Sequence, residues 1–309
     1  MARVLSTSEG THRGAFAPGD WLLFASIGLI WGSSFVLISI GLESFDPGLV
    51  TWLRVAAGGL TLALVPGGRA AIDRADRPRM VALSVLWVAI PFTLFPLAQQ
   101  HVSSAVAGML NGGLPILAAL IGSLMLRRLP TPAHMGGLVL GSAGVAAIAI
   151  SAASEGSSEA IGAVMLLAAV VCYGIAINIA APLQQRYGSV TVMARMLVLA
   201  AVWTAPFGLA SVPDSRFSWT SALAVVVLGA IGTGLAFVLM GRLVGRVGGT
   251  RAAFATYLIP VVALLLGTVL RHEEVAAIGV AGIGMVLAGA LLASRPDRAA
   301  RQAEPAIVA

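Results

Sequence analysis

The sequence is short of charge and of cysteine. Charged residues make up 10% of its 309 residues and hydrophobic residues 58%, whereas soluble domains carry about 25% charged residues. So little charge excludes an ordinary soluble domain and indicates an integral membrane protein. The single cysteine, Cys172, lies within an apolar segment, and an intramolecular disulfide is therefore excluded.

Lysine is absent, so all nineteen basic residues are arginines. In a soluble protein a net charge of +6 would suggest a nucleic-acid partner. Here the arginines flank apolar segments, so they indicate membrane topology instead. We expect no nucleic-acid partner.

Motifs for ATP hydrolysis and for hydrolytic catalysis are missing as well. The chain has no GxxxxGK[ST] loop and no HExxH motif. No pair of acids lies within an apolar segment. Its histidines are scattered over the N-terminal tail and the segment ends, at His12, His101, His134 and His272. We therefore expect neither an ATPase nor an enzyme, and neither a cofactor nor a metal.

Ten apolar segments account for most of the chain. Most are 17–22 residues long, enough at about 1.5 Å per residue to cross a hydrocarbon core of about 30 Å. Segments of this length carry their backbone through lipid only as helices. The sequence predicts an all-α integral membrane protein with ten transmembrane helices at Trp21–Ile40, Leu49–Val65, Val81–Ala98, Ala105–Leu126, Ala133–Ser151, Ile161–Leu183, Val190–Leu209, Trp219–Met240, Ala252–Leu270 and Val275–Ala293.

The arginines between these segments fall almost entirely on one side. Fifteen lie in loops and tails on the side of the N-terminus, against two, Arg216 and Arg271, on the opposite side. Basic residues near membrane segments remain in the cytoplasm. We expect a multi-pass protein of the cytoplasmic membrane with both termini inside, as an even number of spans requires.

The chain also repeats itself. A shift of 145 residues aligns the fourth and fifth segments with the ninth and tenth. It pairs Pro115 with Pro260, Gly122 with Gly267, Gly137 with Gly282 and Gly144 with Gly289. Shifts of 141 and 142 pair Arg54 with Arg195 and Trp31-Gly32 with Tyr173-Gly174.

We therefore predict two five-helix halves at 20–152 and 158–294, with cytoplasmic tails at 1–19 and 295–309. Because five is odd, the second half enters the membrane from the opposite face. Such inverted repeats are typical of transporters that alternate access between two sides.

Several motifs resemble one family. Trp31-Gly32-Ser33-Ser34-Phe35 is similar to the WGS-x-F signature of the EamA-type drug/metabolite transporter superfamily. Pro47 followed by Arg54 resembles its proline-arginine spacing, and Pro115 and Pro260 match prolines of its fourth and ninth helices. The resemblance implies a ten-helix transporter, often an exporter of amino acids, related metabolites or toxic compounds. Leu126-Arg127-Arg128 departs from the family's glycine-glutamate pair after helix four, whereas Glu273 and Glu274 keep acidic residues in the second half.

Polar residues next to the two mid-span prolines predict a binding site at the midplane. Proline bends a helix and frees carbonyl groups, and kinked helices at matching positions in two halves point to a substrate site. The candidate substrate-binding residues are Trp31, Ser34, Arg54, Asn111, Pro115, Tyr173, Asn178, Arg195, Thr256, Tyr257 and Pro260. For the serines, helix packing is an equal alternative.

Arg54 and Arg195 are the arginines well inside spans, each about seven residues, or about 10 Å, from its helix end. Such an arginine either snorkels to the interface or anchors a carboxylate or phosphate of the substrate. No acid lies in the core of any span, which argues against the membrane-embedded glutamate mechanism of the four-helix multidrug relatives.

The sequence therefore predicts a secondary, non-ATP transporter that exports small metabolites, such as amino acids or related compounds, by alternating access around a midplane site. The alternatives are a lipid-carrier flippase on the same fold and, least favoured, a membrane-embedded enzyme. The expected partners are a small-molecule substrate and the lipid bilayer; the sequence does not fix an oligomeric state.

A reporter fused after Arg298 tests the predicted orientation. A fluorescent protein that matures only in the cytoplasm should be bright there, and alkaline phosphatase, which is active only outside, should be inactive, because the positive-inside rule places this end in the cytoplasm. The reverse pattern would overturn the orientation. The same reporters fused after Glu155, in a loop predicted to be external, give the matched control.

Overall fold

The computed structural model describes residues 16–126 and 132–293. The tail arginines, Arg127 and Arg128 lie outside the described residues. Within the described ranges the chain is helical and contains no strand. In the described part of the chain, nine helical stretches are long and apolar enough to cross a membrane, and Ala277–Ala293 adds a shorter apolar helix. The predicted all-α membrane architecture with ten spans is confirmed.

The first half contains spans 1 to 5. Span 1 is α1, span 2 is α2, span 3 is α3 and α4 joined by a π-helical turn, span 4 is α5 and α6, and span 5 is α7. Their bounds are α1 Pro18–Leu42, α2 Pro47–Leu64, α3 Arg77–Leu83, the π turn Ser84–Ala89, α4 Ile90–Ala98, α5 Ser104–Asn111, α6 Leu114–Leu126 and α7 Pro132–Ala153.

The second half contains spans 6 to 10 in the same order. Span 6 is α8, span 7 is α9, span 8 is α10 and α11 around a second π turn, span 9 is α12 and α13 around a 3₁₀ turn, and span 10 is α14. Their bounds are α8 Ser157–Tyr187, α9 Ser189–Ala210, α10 Trp219–Gly229, the π turn Ala230–Leu235, α11 Ala236–Val247, α12 Gly249–Ala253, the 3₁₀ turn Phe254–Tyr257, α13 Leu258–Leu270 and α14 Ala277–Ala293.

Local chemistry explains where several spans begin. α2 starts with Pro47, whose fixed φ and missing N–H suit the first helical turn, and the Asp46 carboxylate accepts a hydrogen bond from the Gly48 N–H at 3.1 Å. Gly188 at φ 81° separates α8 from α9, and Gly248 at φ 87° separates α11 from α12. Only glycine adopts this backbone readily, so each junction turns the chain within a single residue.

The packing of the spans is unchanged when the two halves are exchanged. Span 1 packs on spans 8 and 9, as span 6 packs on spans 3 and 4. Span 2 packs on span 8, as span 7 packs on span 3, while spans 2 and 7, 4 and 9, and 5 and 10 pack on each other. This is the pattern expected of two inverted five-helix repeats.

Spans 5 and 10 cross with their backbones in contact. A Cβ on Gly137 would lie 2.5 Å from the Gly289 carbonyl oxygen, and one on Gly144 would lie 2.6 Å from the Gly282 oxygen. The 145-residue shift maps Gly137 onto Gly282 and Gly144 onto Gly289, so the two close approaches are equivalent. Four of the glycines that revealed the repeat in the sequence therefore face one another where spans 5 and 10 cross.

Leucine at Gly289 should destabilise the protein, because the side chain cannot enter a backbone contact of 2.6 Å to the Gly137 carbonyl. Overpacking alone costs about 1–3 kcal/mol, and we expect the apparent Tm in detergent to fall by about 5 °C or more. Leucine at Gly284 of the same helix is the control, because a Cβ there meets nothing within 4 Å. Equal Tm values for the two variants would contradict this account of the crossing.

Candidate functional site

Arg54 is a buried cation in span 2. Its side chain is only 7% exposed. Nε donates a hydrogen bond to the Thr233 hydroxyl at 3.2 Å, and the guanidinium lies over the Phe92 ring, 3.8 Å from its centre. Among the described residues, no other hydrogen bond to the Arg54 guanidinium is present, so its Nη1 and Nη2 donors are available to a ligand.

The second π turn places Thr233 against Arg54. The Thr233 hydroxyl donates to the Leu228 carbonyl at 3.2 Å, five residues back along the π turn, which leaves its lone pairs for the arginine. A Cβ on Gly229 would lie 2.6 Å from the Arg54 carbonyl oxygen, so the two backbones are in close contact. Thr233 was not predicted from the sequence; the polar Gly232-Thr233-Gly234 step in an apolar span was the available signal.

Aromatic side chains surround the site. Tyr173 stacks on Phe95 with ring centres 6.0 Å apart and packs against the same cluster as Phe92, the ring beneath Arg54. Trp31 meets Phe237 edge to face at 5.9 Å. The Tyr173 hydroxyl and the Trp31 indole N–H make no hydrogen bond to the described residues, which leaves two more unused donors on side chains that pack against the same cluster as Phe92.

We call this group the Arg54 site. It consists of Trp31, Arg54, Phe92, Tyr173, Thr233 and Phe237. Three of these six, Trp31, Arg54 and Tyr173, are sequence-predicted candidates that the structure brings together. The site combines hydrogen-bond donors with apolar faces, which suits an apolar molecule that carries a carboxylate.

No carboxylate among the described residues pairs with Arg54. The ion pairs that the structure does contain lie at the ends of the spans: Asp20–Arg246, Asp73–Arg186, Asp76–Arg186, Asp76–Arg79 and Glu43–Arg271. A buried charge is costly unless it is paired. An anionic ligand would supply the missing partner.

Arg195 does not lie in the Arg54 site. Its Nε donates to the Ala70 carbonyl at 3.1 Å and its Nη2 to the same carbonyl at 2.9 Å and to that of Arg69. These carbonyls belong to the loop between spans 2 and 3, on the arginine-rich side. Arg195 therefore snorkels to the interface and fastens a loop.

Ser34 and Asn178 direct their polar groups to neighbouring backbone. The Ser34 hydroxyl donates to the Ile30 carbonyl of its own helix at 3.1 Å. The Asn178 amide donates to the Gly174 carbonyl at 2.8 Å and to the Ala118 carbonyl of span 4 at 3.0 Å. Both side chains therefore use their polar groups to bond to helix backbone. For Ser34 this agrees with the packing role given as the alternative. For Asn178, a candidate substrate-binding residue, a position in the binding cavity was expected instead.

Spans 4 and 9 are both interrupted just before their prolines. Span 4 breaks at Gly112–Gly113, ahead of Pro115, and span 9 passes through the 3₁₀ turn ahead of Pro260. The two interruptions are in contact, since a Cβ on Gly112 would lie 2.8 Å from Cγ of Pro260. The predicted bends are confirmed, and they occur where the two halves meet.

The polar residues beside these breaks have different environments. Asn111 is buried and its Oδ1 has no hydrogen-bond partner. Thr256 donates to the Ala253 carbonyl at 2.7 Å. Tyr257 lines an apolar groove of about 590 Å³ with Phe16, Trp21, Phe24 and Arg251 among its other walls. Beside the breaks, Asn111 is thus the residue whose buried polar atom has no hydrogen-bond partner among the described residues.

Contacts between the halves close both ends of the bundle. On the side opposite the arginine-rich loops, Glu273 accepts hydrogen bonds from the Ser104 N–H at 2.9 Å, the Ser104 hydroxyl at 2.8 Å and the Ala105 N–H at 2.8 Å. On the arginine-rich side, fully buried Asp20 pairs with Arg246. The Arg54 site lies between these two closures. No group of three or more metal-binding side chains is present in the described part of the chain.

Comparisons with known proteins agree with the fold. The sequence model of the EamA-like transporter family matches twice, over residues 18–150 and 160–295. A solved crystal structure shares the fold with a TM-score of 0.62 at 20% sequence identity, covering 94% of this chain and all of the other.

Two relatives match along most of their length. The "Uncharacterized transporter YdeK" of Bacillus subtilis is 32% identical over 263 residues, which cover 80% of this chain and 87% of that protein. The "Probable terminal-alkyne amino-acid exporter" of Streptantibioticus cattleyicolor is 26% identical over 278 residues, covering 89% of this chain and 93% of the relative.

Replacing Arg54 by methionine tests whether this residue contributes to the stability of the fold. Removing an unpaired buried charge and keeping an apolar chain of similar length should leave the Tm unchanged or raise it, because buried ionic groups are often less stabilising than apolar ones. Arg195→Met is the matched control and should lower the Tm, because it removes three hydrogen bonds to loop carbonyls. Both are measured by thermal unfolding in detergent. A Tm for Arg54→Met as low as that of Arg195→Met would make Arg54 a structural residue.

Proposed function

Because the chain belongs to the EamA-like transporter family, we propose that it is a secondary transporter that exports amino acids or closely related carboxylates. The observation that carries the proposal is Arg54, a buried guanidinium with two unused donor nitrogens and no carboxylate partner among the described residues. Arginine binds a carboxylate through two parallel hydrogen bonds. The cargo carboxylate would complete that pair.

The remaining polar atoms suit the rest of an amino acid. The Tyr173 hydroxyl can donate a further hydrogen bond. Asn111 lies outside the Arg54 site as defined above, and its buried, unpartnered Oδ1 at the break in span 4 is the acceptor that we propose for the ammonium group. The rings of Phe92, Phe237 and Trp31 offer apolar surface to a side chain. The name of the Streptantibioticus relative, a "Probable terminal-alkyne amino-acid exporter", supports both the class of cargo and the direction.

Alternating access accounts for the contacts at the two ends. Opening the arginine-rich side requires the Asp20–Arg246 pair to separate. Opening the other side requires Glu273 to leave Ser104 and Glu43 to leave Arg271. Each set joins one half of the chain to the other, so rocking of the halves would break one set and keep the other. The cytoplasmic position of the termini is part of this proposal.

A lipid-carrier flippase on the same fold is the second candidate. The groove lined by Phe16, Trp21 and Tyr257 favours it, because this apolar groove lies at the outer surface of spans 1, 9 and 10. Its lining residues are not those of the Arg54 site. Variants of the two regions therefore distinguish a lipid cargo from an amino-acid cargo.

Export should depend on Arg54. Cells that overproduce the protein should survive higher concentrations of toxic amino-acid analogues, including a terminal-alkyne amino acid, and should release the labelled compound faster. Arg54→Gln should reduce efflux about tenfold or more, since a hydrogen bond to a charged group is worth about 1.5–3 kcal/mol. Arg195→Gln should remain within about twofold of the wild type, because its bonds lie at the loop.

Asn111→Ala and a groove variant complete the test. Asn111→Ala should weaken efflux of amino acids, whereas Tyr257→Ala should weaken it less. If the cargo is a lipid, Tyr257→Ala should instead have the larger effect on its transport. If Arg54→Gln and Asn111→Ala both transport every exported compound at the wild-type rate, the proposed site is wrong. Equal protein levels in the membrane are verified by immunoblotting.

A further inference from the structure

The charge of Arg54 is enclosed while the protein is closed at both ends. The guanidinium is 7% exposed and Thr233, its hydrogen-bond partner, is 1% exposed. Phe92 covers one face of the guanidinium at 3.8 Å. The Asp20–Arg246 pair and the Glu273 cap close the two ends. A carrier that works by alternating access must pass, in each half-cycle, through a state in which its site is enclosed in this way.

An enclosed arginine without a counter-anion makes this state costly. The neutral hydroxyl of Thr233 and the ring of Phe92 replace only part of the water that an open cavity would offer. Among the described residues, the ion-paired carboxylates pair with arginines at the span ends and none pairs with Arg54. A carboxylate bound to the guanidinium would remove most of the cost at the moment of closure, because charges attract strongly when water is excluded.

We propose that the carrier crosses between its two open states only with a carboxylate bound to Arg54, so that the protein is an obligatory exchanger of carboxylates. The inference rests on the proposed function, since it takes the Arg54 site to be the cargo site. The empty carrier closes slowly because its charge is unpaired. Net export then requires a second carboxylate to return in the opposite direction.

The broken symmetry sets the stoichiometry at one for one. Arg195, the repeat partner of Arg54, is bonded to the Ala70 and Arg69 carbonyls at the arginine-rich side. Because Arg195 bonds to this loop, the second half of the chain contributes no cation to the Arg54 site. One guanidinium pairs with one carboxylate in each half-cycle.

Proteoliposomes test the inference. Vesicles containing the full-length protein are loaded with a ¹⁴C-labelled amino-acid mixture and diluted into buffer alone, into buffer with the unlabelled mixture, or into buffer with the corresponding amino-acid amides. External amino acids should accelerate release of the label about tenfold or more over buffer alone. The amides, which lack the carboxylate, should not accelerate it.

Each other result excludes a different claim. Release that is equally fast into buffer and into amino acids, and faster than from protein-free vesicles, would overturn obligatory exchange while leaving the proposed transport intact. Amides as effective as acids would overturn the role of the carboxylate. Release no faster than from protein-free vesicles under all conditions would count against the proposed function itself.

Substitutions at Arg54 connect the exchange ratio to the charge. Arg54→Lys keeps the charge and should keep the ratio of exchange to net release at about tenfold or more, even if both rates fall. Arg54→Gln removes the charge and should bring the ratio towards one, and Arg195→Gln should retain the wild-type ratio. A ratio near one in Arg54→Lys, or an unchanged ratio in Arg54→Gln, would show that another feature couples the two fluxes.

Discussion

Spans 5 and 10 meet backbone to backbone, and the relation between the two halves depends on this crossing. Lipid tails are as apolar as the side chains that face them, so the hydrophobic effect does not drive helices together within a membrane. Such helices associate through close packing instead. The glycines of the two spans, Gly137 against Gly289 and Gly144 against Gly282, allow that approach. Because the same crossing is formed from equivalent residues of each half, it fixes the halves in an inverted arrangement without favouring either one.

The residues of the proposed site are found where this symmetry fails. Arg54 and Arg195 occupy equivalent positions, yet one remains under Phe92 in the interior and the other reaches loop carbonyls. Glu273 caps the first turn of span 4, whereas the family's glycine-glutamate position in the first half carries Arg128. A second interior arginine would place two like charges within one site and raise the cost of burial. A single cation avoids that repulsion and gives the site one position at which a carboxylate can bind.

The spans, the repeat, the helix interruptions before Pro115 and Pro260 and the grouping of Trp31, Arg54 and Tyr173 could all be predicted from the sequence. The length of the apolar segments, the spacing of the glycines and the positions of the prolines are properties of the sequence, so they can be recognised without a structure. The roles of Ser34 and Asn178 were not, because a short polar side chain in lipid bonds to whichever carbonyl is nearest, and that depends on packing. Thr233 was missed because its orientation comes from a π turn, which has no simple sequence signature.

The charge asymmetry from which the orientation of the chain is predicted also bears on the proposed direction of transport. The side that carries most of the arginines attracts carboxylates towards the bundle, and the opposite side, with Glu43, Asp46 and Glu273, does not. A proposed cargo with a net negative charge would therefore be concentrated at the predicted cytoplasmic entrance, whereas the carboxylate of a zwitterionic amino acid would respond only to cations close to it. Arg54 lies about seven residues from the beginning of span 2 on the acidic side, so the cargo reaches its counter-charge after most of its passage through the bundle. An exporter would gain from this order, because a carboxylate that leaves Arg54 on the acidic side meets carboxylates there, which do not favour its rebinding.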